Sequence, residues 1–87
     1  MTLILFSAPW VAPCRLQEPI IGRLASRFQG RATIGAVNVG GSPETAWNWG
    51  IRSVPTVVLF KNGKEIQRLI GLQSEETLSD ALKRLLE

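Results

Sequence analysis

The sequence of 87 residues contains no histidine and only one cysteine, Cys14. One cysteine excludes an internal disulfide, and without histidine or a second thiol the chain lacks the usual ligands of a zinc site. The absence of histidine also removes the imidazole that most often acts as a general base, so any catalysis must depend on Cys14 and a few carboxylates. The composition therefore predicts neither a metal nor a bound cofactor.

Long apolar runs and a basic leader are missing as well. No apolar stretch reaches about eighteen residues, so the sequence predicts no membrane-spanning helix and no membrane partner. The amino terminus has no basic region and runs directly into the apolar residues 3–6, which is typical of a strand and not of a signal peptide. We therefore expect a cytoplasmic protein.

The remaining composition is typical of one small globular domain over residues 1–87. Hydrophobic residues make up 45% of the chain and charged residues 20%, which favours a folded core over disorder. The net charge is +3, and Arg23, Arg27 and Arg31 lie close together in the sequence. They form either a solvated face or a contact for an anionic partner. Because no basic cluster is interleaved with aromatic residues, we expect no nucleic-acid partner.

Two short runs of consecutive apolar residues, 3–6 and 57–60, lack the alternation of a half-buried strand. Such runs indicate strands buried on both faces, with helices above and below the sheet. Residues 32–39 predict a further strand. The Asn-Gly pair after the second apolar run indicates a tight hairpin into a last strand, residues 65–70.

Three helices are predicted between and after these strands. The first covers residues 14–29, and apolar residues that recur every four positions mark its core-facing side: Leu16, Ile20, Leu24 and Phe28. Pro19 lies inside this helix and predicts a kink. Ser42 and Ser74 are the predicted N-caps of the second and third helices. The order β-α-β-α-β-β-α predicts an α/β fold with a four-stranded mixed sheet and helices on both faces.

The stretch of residues 6–14 joins the first strand to the first helix, where α/β proteins place their chemistry. Its run Trp-Val-Ala-Pro-Cys resembles the thioredoxin active-site motif Trp-Cys-Gly-Pro-Cys. Residues 50–56 are similar to the cis-proline loop of that family, and Gly71 matches the glycine after its last strand. Three motifs in the same order span nearly the whole chain. The sequence is therefore identified as similar to thioredoxins, which implies a minimal thioredoxin fold.

The resemblance implies dithiol chemistry, in which one thiolate attacks a substrate disulfide and a second thiol resolves the mixed disulfide. It puts the attacking sulfur at Val11 and the resolving sulfur at Cys14. Valine carries no nucleophile, so the cycle cannot start. The buried aspartate of the family and the lysine beside it correspond to Leu5 and Ala36, which are also apolar. We therefore predict a redox-inactive or altered member of the family.

Two alternatives remain for the chemistry. Cys14 is either a small buried apolar residue beneath Val11 or a monothiol that forms a mixed disulfide with glutathione or a protein. The chain is also compatible with an engineered disulfide reductase whose attacking cysteine was replaced. Leu5 and Ala36 argue against engineering, because a laboratory mutation would leave those positions intact.

The resemblance also implies a shallow apolar groove that binds a protein or an extended peptide. The residues that correspond to it are Trp10, Ala12, Pro13, Val54, Pro55, Ile70, Gly71 and Leu72. We expect a cis peptide bond before Pro55 and pairing of the Val54 backbone with a bound strand. Trp47 and Trp49 are two positions apart and cannot share a helix face, so one is expected in the core and the other at the surface.

Thioredoxins begin with an additional strand and helix that precede the first strand of this chain. In the family that strand flanks the one matched by residues 32–39. We therefore expect residues 32–39 to form an exposed sheet edge. Either Gly35, twist or a crossing loop blunts this edge, or it mediates self-association with a second chain.

Overall fold

The computed structural model describes residues 1–87 and contains four strands and three helices. In chain order they are β1 (Thr2–Ser7), α1 (Ala12–Arg27), β2 (Thr33–Asn38), α2 (Pro43–Asn48), β3 (Thr56–Lys61), β4 (Lys64–Ile70) and α3 (Glu75–Leu86). The strands form one sheet in the order β2-β1-β3-β4. β2 runs parallel to β1, whereas β3 is antiparallel to both β1 and β4. The predicted element order and mixed four-stranded sheet are confirmed.

One face of the sheet carries the hydrophobic core, because alternate residues of β1 and β3 point toward α1 and α3. The ten buried residues of this cluster are Leu3, Leu5, Ile21, Leu24, Phe28, Val57, Leu59, Leu78, Ala81 and Leu82. Full burial of a leucine or phenylalanine side chain stabilises a fold by about 1.5–3 kcal/mol. This layer therefore provides most of the apolar burial that holds the sheet in place.

The other face of the sheet is covered only by α2, which has six residues, and by the turn after it. Trp49 in that turn packs edge-on against Phe60, with 5.1 Å between the ring centroids. Beside this pair lies an open recess of about 390 Å³ whose apolar lining residues are Met1, Ile4, Phe6, Val37, Trp49 and Phe60. Helices thus lie on both faces, as predicted. The prediction that residues 3–6 are buried on both faces is wrong at Ile4, which is half-buried because α2 is too short to cover it.

The predicted core stripe of α1 is only partly correct. Leu24 and Phe28 are buried, but Leu16 is 62% exposed and Ile20 is half-buried. Each helical residue turns by about 100°, so a series spaced by four drifts around the helix, whereas alternating steps of three and four stay on one side. The residues within α1 that are buried follow that mixed spacing: Cys14, Gln17, Ile21 and Leu24. The helix also begins at Ala12 and continues on both sides of Pro19.

Local signals at the turns and caps had different outcomes. Asn62 and Gly63 both have positive φ, 55° and 78°, as a tight hairpin turn requires, so the hairpin is confirmed. The Ser74 side chain accepts a hydrogen bond from the Thr77 N–H at 3.0 Å and caps α3 as predicted. Ser42 occupies the N-cap position of α2 as predicted, although its side chain makes no capping hydrogen bond. None of the helices is long and apolar enough to cross a membrane.

Candidate functional site

Four segments meet at one end of the sheet. The last residues of β1 are paired with the start of β3, with Phe6 opposite Thr56, and with the end of β2, with Ser7 opposite Asn38. Thr56 is in turn opposite Ile70 at the end of β4. The segments that follow β1, β2 and β4 therefore lie at the same end of the sheet as the segment that precedes β3. The strand register places the motif of residues 10–14, the proline loop and Gly71 together.

The motif itself forms a turn that leads into α1. The Val11 N–H donates to the Ala8 carbonyl at 3.1 Å, and the Cys14 N–H donates to the Val11 carbonyl at 3.0 Å. Val11 is the N-cap residue with extended backbone angles, and Pro13 lies in the first turn, where its missing N–H leaves no bond unmade. Val11 is half-buried, whereas Ala12 and Pro13 are exposed. Cys14 lies in the first helical turn and has no exposed surface.

Trp10 lies against the segment that follows β2. Its side chain is 66% exposed, and its ring packs on the backbone of Gly40. A Cβ atom at Gly40 would lie 2.5 Å from Cζ3 of Trp10 and closer still to Cη2. The Gly40 N–H donates to the Asn38 side-chain oxygen at 2.9 Å, which fixes this backbone. Only glycine allows the ring to lie where it does.

The proline loop is held from both ends. The Val54–Pro55 peptide bond is cis. Before it, the Thr56 hydroxyl donates to the Ser53 carbonyl at 2.8 Å, and after it the Gly71 N–H donates to the Pro55 carbonyl at 2.8 Å. Pro55 is buried and Val54 is half-buried. The N–H and C=O of Val54 make no hydrogen bond within the chain.

Ile70, Gly71 and Leu72 form the side of the site that follows β4. Ile70 is 66% exposed and Leu72 is 46% exposed. Gly71 has φ of 90°, a left-handed conformation that favours glycine, and its N–H bonds directly to the proline loop. The structure thus joins Pro55, Ile70 and Gly71 by strand register and a backbone hydrogen bond, while Trp10 rests on the opposite side, on Gly40.

Two residues that the sequence analysis missed support these segments. One is Gly40 beneath Trp10. The other is Gln17, which is fully buried in α1 and bonds through both atoms of its amide to the main chain of Gln73. The available signal was its spacing of three from Cys14 and four from Ile21, which places a polar residue on the core-facing side of the helix. The stripe based on Leu16 hid that signal.

The two positions that depart from the family pattern inside the fold are direct neighbours. Leu5 and Ala36 are paired across β1 and β2. Leu5 is fully buried in the core cluster, so neither position supplies a carboxylate or an amine to the site. The nearest polar pair along β1 is formed by the buried Ser7 hydroxyl, which donates to Glu18 at 2.9 Å.

The three arginines that lie close together in the sequence have structural partners away from this end of the sheet. Arg23 and Arg27 donate to the Glu75 carboxylate at 2.6 and 2.9 Å, and these hydrogen bonds lower the pKa of Glu75 below its ordinary value. Arg31 lies over the Phe28 ring at 5.1 Å. The three arginines therefore do not form a free anion-binding face. Nowhere in the structure do three or more metal-ligating side chains cluster.

The prediction that one of the two tryptophans near α2 is buried in the core is wrong. Trp47 is 85% exposed, and Trp49 is 44% exposed in its contact with Phe60. The six residues of α2 cover too little of the sheet to bury either indole.

Comparisons with known proteins agree with this architecture. The sequence model of the family described as Thioredoxin matches residues 1–84. Thioredoxin M4, chloroplastic, from Arabidopsis thaliana is 44% identical over 84 residues, which cover 97% of this chain and 44% of the plant protein. Thioredoxin 1 from Nostoc sp. is 36% identical over 82 residues, which cover 94% of this chain and 77% of that protein. The structure of a mutant thioredoxin from Halobacterium salinarum superimposes with a TM-score of 0.91 at 35% identity, covering 99% of this chain and 74% of that one.

The lengths of these proteins differ from the length of this chain. It spans less than half of the Arabidopsis protein and about three quarters of the Nostoc and Halobacterium proteins. The family match over residues 1–84 contains the four strands, α1, α2, the four segments of the site and most of α3. On the family match, the sequence identity and the shared fold, the chain belongs to the thioredoxin family.

Proposed function

We propose that this chain is a thioredoxin-family module that binds an extended peptide and does not perform the dithiol cycle. The observation that carries the proposal is the pairing of Val11, which has no nucleophile, with Cys14, which has no exposed surface. A disulfide exchange needs an accessible thiolate to attack and a second thiol to resolve the intermediate. With one buried thiol, neither step has its reactant at the surface.

Binding is supported by the backbone of Val54. Its N–H and C=O are unpaired within the chain, in a loop whose two ends are fixed by hydrogen bonds. An extended peptide that pairs with Val54 would gain two backbone hydrogen bonds, each worth about 0.5–1.5 kcal/mol net. Exposed apolar side chains at the same end of the sheet would contribute additional contact area: Trp10, Ile70 and Leu72.

The test measures binding and disulfide reduction on the same protein. Fluorescence anisotropy with a dye-labelled, eight-residue peptide of alternating valine and threonine should show saturable binding that Trp10→Ala weakens. Trp47→Ala is the matched control, because Trp47 is more exposed but lies on α2. Reduction of a dye-quenched peptide disulfide by dithiothreitol should not be accelerated. Catalysed reduction, or no binding of the peptide, would refute the proposal.

The second candidate function is a monothiol that acts through Cys14. Its position in the first turn of α1 favours it, because the amino end of a helix stabilises a thiolate. Its full burial opposes it. The rate of reaction with a thiol reagent separates the two functions: labelling at the rate of the unfolded chain supports a monothiol, and labelling limited by unfolding supports the binding module.

We also infer that the chain self-associates through β2, at the edge of the sheet. β2 contains no charged residue and no proline, unlike the other edge strand β4, which carries Lys64, Glu65 and Arg68. Alternate residues along this segment, as far as the Val39 N–H, form the backbone hydrogen bonds to β1. The N–H and C=O groups of the residues between them, which include Ile34 and Ala36, therefore point away from β1. Sedimentation over a range of protein concentrations should show a dimer that Ala36→Pro abolishes. A sedimentation coefficient independent of concentration would exclude this pairing.

A further inference from the structure

The amide of Gln17 makes a two-point connection between α1 and the segment after β4. Its Nε2 donates to the Gln73 carbonyl at 3.0 Å, and its Oε1 accepts from the Gln73 N–H at 2.7 Å. Gln17 is fully buried. A buried amide is unfavourable unless both of its polar atoms are paired, and here both are paired to a single residue 56 positions away in sequence. The arrangement has the geometry of one backbone pair in an antiparallel sheet.

This connection fixes one end of a short arch in the proposed groove. The other end is the Gly71 N–H, which donates to the Pro55 carbonyl at 2.8 Å. The Gln73 side chain closes the arch by donating to the carbonyls of Ile70 and Gly71 at 3.2 and 3.3 Å. Leu72 lies between the two fixed points, with 46% of its side chain exposed. Its own backbone makes no hydrogen bond within the chain.

Packing alone gives no reason for a glutamine at this position. Its neighbours on the buried side of α1 are Cys14, Ile21 and Leu24, and an apolar residue would pack among them without placing an amide in the interior. An apolar residue would leave the N–H and C=O of Gln73 without these partners. The glutamine therefore determines where the main chain of residue 73 lies, and through it the position of Leu72.

We propose that Gln17 is a positioning residue that presets the Leu72 side of the peptide groove; this inference rests on the proposed function. A peptide that meets an ordered arch does not have to immobilise it, so less conformational freedom is lost on binding. Removal of the amide should weaken peptide binding by about 3- to 10-fold, mainly through faster dissociation. Gln17 does not touch the exposed surface, so it acts only through the arch.

The experiment compares Gln17→Met with Ser79→Ala. Methionine keeps the length of the side chain and removes both hydrogen bonds. Ser79 is a buried residue of α3 that accepts a hydrogen bond from Arg27 of α1, so its loss weakens a contact between α1 and the carboxyl-terminal segment away from the groove. Amide hydrogen exchange of residues 71–73 is measured in the free protein, and affinity for the valine–threonine peptide is measured well below the unfolding temperature.

Gln17→Met should accelerate exchange at Gln73 and weaken peptide binding, whereas Ser79→Ala should leave both unchanged. If both variants lower the unfolding midpoint and neither changes exchange or affinity, the inference is overturned. If the unmodified protein binds no peptide, the proposed function fails, and the exchange measurement still decides whether Gln17 orders the arch. Gln17→Asn keeps the amide but is too short to reach Gln73, so it should show the same faster exchange and weaker peptide binding. It replaces Gln17→Met in the experiment if the methionine variant does not fold.

Discussion

Substitution of Gly40 by alanine should displace Trp10 from its place on the loop after β2. The added Cβ would lie 2.5 Å from Cζ3 of the indole, well inside van der Waals contact, so the ring must move. Neither Gly40 nor Gly41 has a left-handed backbone, so alanine meets no conformational strain at either position. At Gly41 the added Cβ would lie 3.8 Å from the Asn38 carbonyl oxygen, an ordinary contact. Gly41→Ala is therefore a matched control.

The magnitude follows from the buried part of the indole. Trp10 is 66% exposed, so about one third of its surface is covered. A fully buried tryptophan covers about 250 Å², and one third of that at about 25 cal/mol per Å² corresponds to about 2 kcal/mol. Complete loss of the contact sets this upper limit, and a partial shift of the ring should cost about 1 kcal/mol. Gly41→Ala should be neutral or stabilise the fold by about 0.4–1 kcal/mol, because alanine restricts the unfolded chain.

Urea unfolding at pH 7 measures the free energy of unfolding of both variants, and fluorescence anisotropy measures their affinity for the valine–threonine peptide. Gly40→Ala should lower the free energy of unfolding and weaken peptide binding, while Gly41→Ala should do neither. Equal stability and equal peptide affinity in the two variants would refute the role assigned to Gly40. The role would also be refuted if Gly40→Ala weakens peptide binding equally in the unmodified protein and in the Trp10→Ala variant, because the effect would then not depend on the Trp10 ring.

Three further predictions concern the core, the charges and the chemistry. Leu24→Ala should lower the free energy of unfolding by about 2–5 kcal/mol and Leu16→Ala by less than about 0.5 kcal/mol, as urea titrations would show, because only Leu24 is buried. The pKa of Glu75 is lowered by its hydrogen bonds to two arginines, so its stabilising effect is complete above the ordinary value of about 4.3 and is lost as the pH falls through the lower folded value. Unfolding free energy measured from pH 6 to 3 should therefore fall less steeply in Glu75→Gln, and identical slopes would contradict the pairing. Val11→Cys should introduce measurable peptide-disulfide reduction that rises further when Leu5→Asp is added; full activity with Val11→Cys alone would show that the apolar residue at position 5 does not matter.

The fold was predictable because its signals are local. The hairpin depends on two adjacent residues and the central strands on short apolar runs, whereas the partial exposure of Ile4 depends on the length of the distant α2. The α1 stripe failed because a spacing of four alone does not fix a helix face, and Leu16 satisfied the pattern while pointing to solvent. The role of Gln17 was not predictable, because its partner is 56 residues away and its position is set by the end of β4. Gly40 was missed for the same reason: its meaning depends on where the Trp10 ring lies.

The proposed loss of dithiol chemistry and the proposed peptide groove are compatible because they depend on different atoms. Dithiol exchange needs a sulfur at position 11, where this chain has valine, and the resemblance to thioredoxins implies supporting polar side chains at positions 5 and 36, which are leucine and alanine here. The groove depends on main-chain geometry, since the Val54 backbone is held by hydrogen bonds at Ser53 and Pro55 that involve none of those side chains. Apolar residues at these three positions would therefore remove the reaction without disturbing the backbone that we propose binds a peptide.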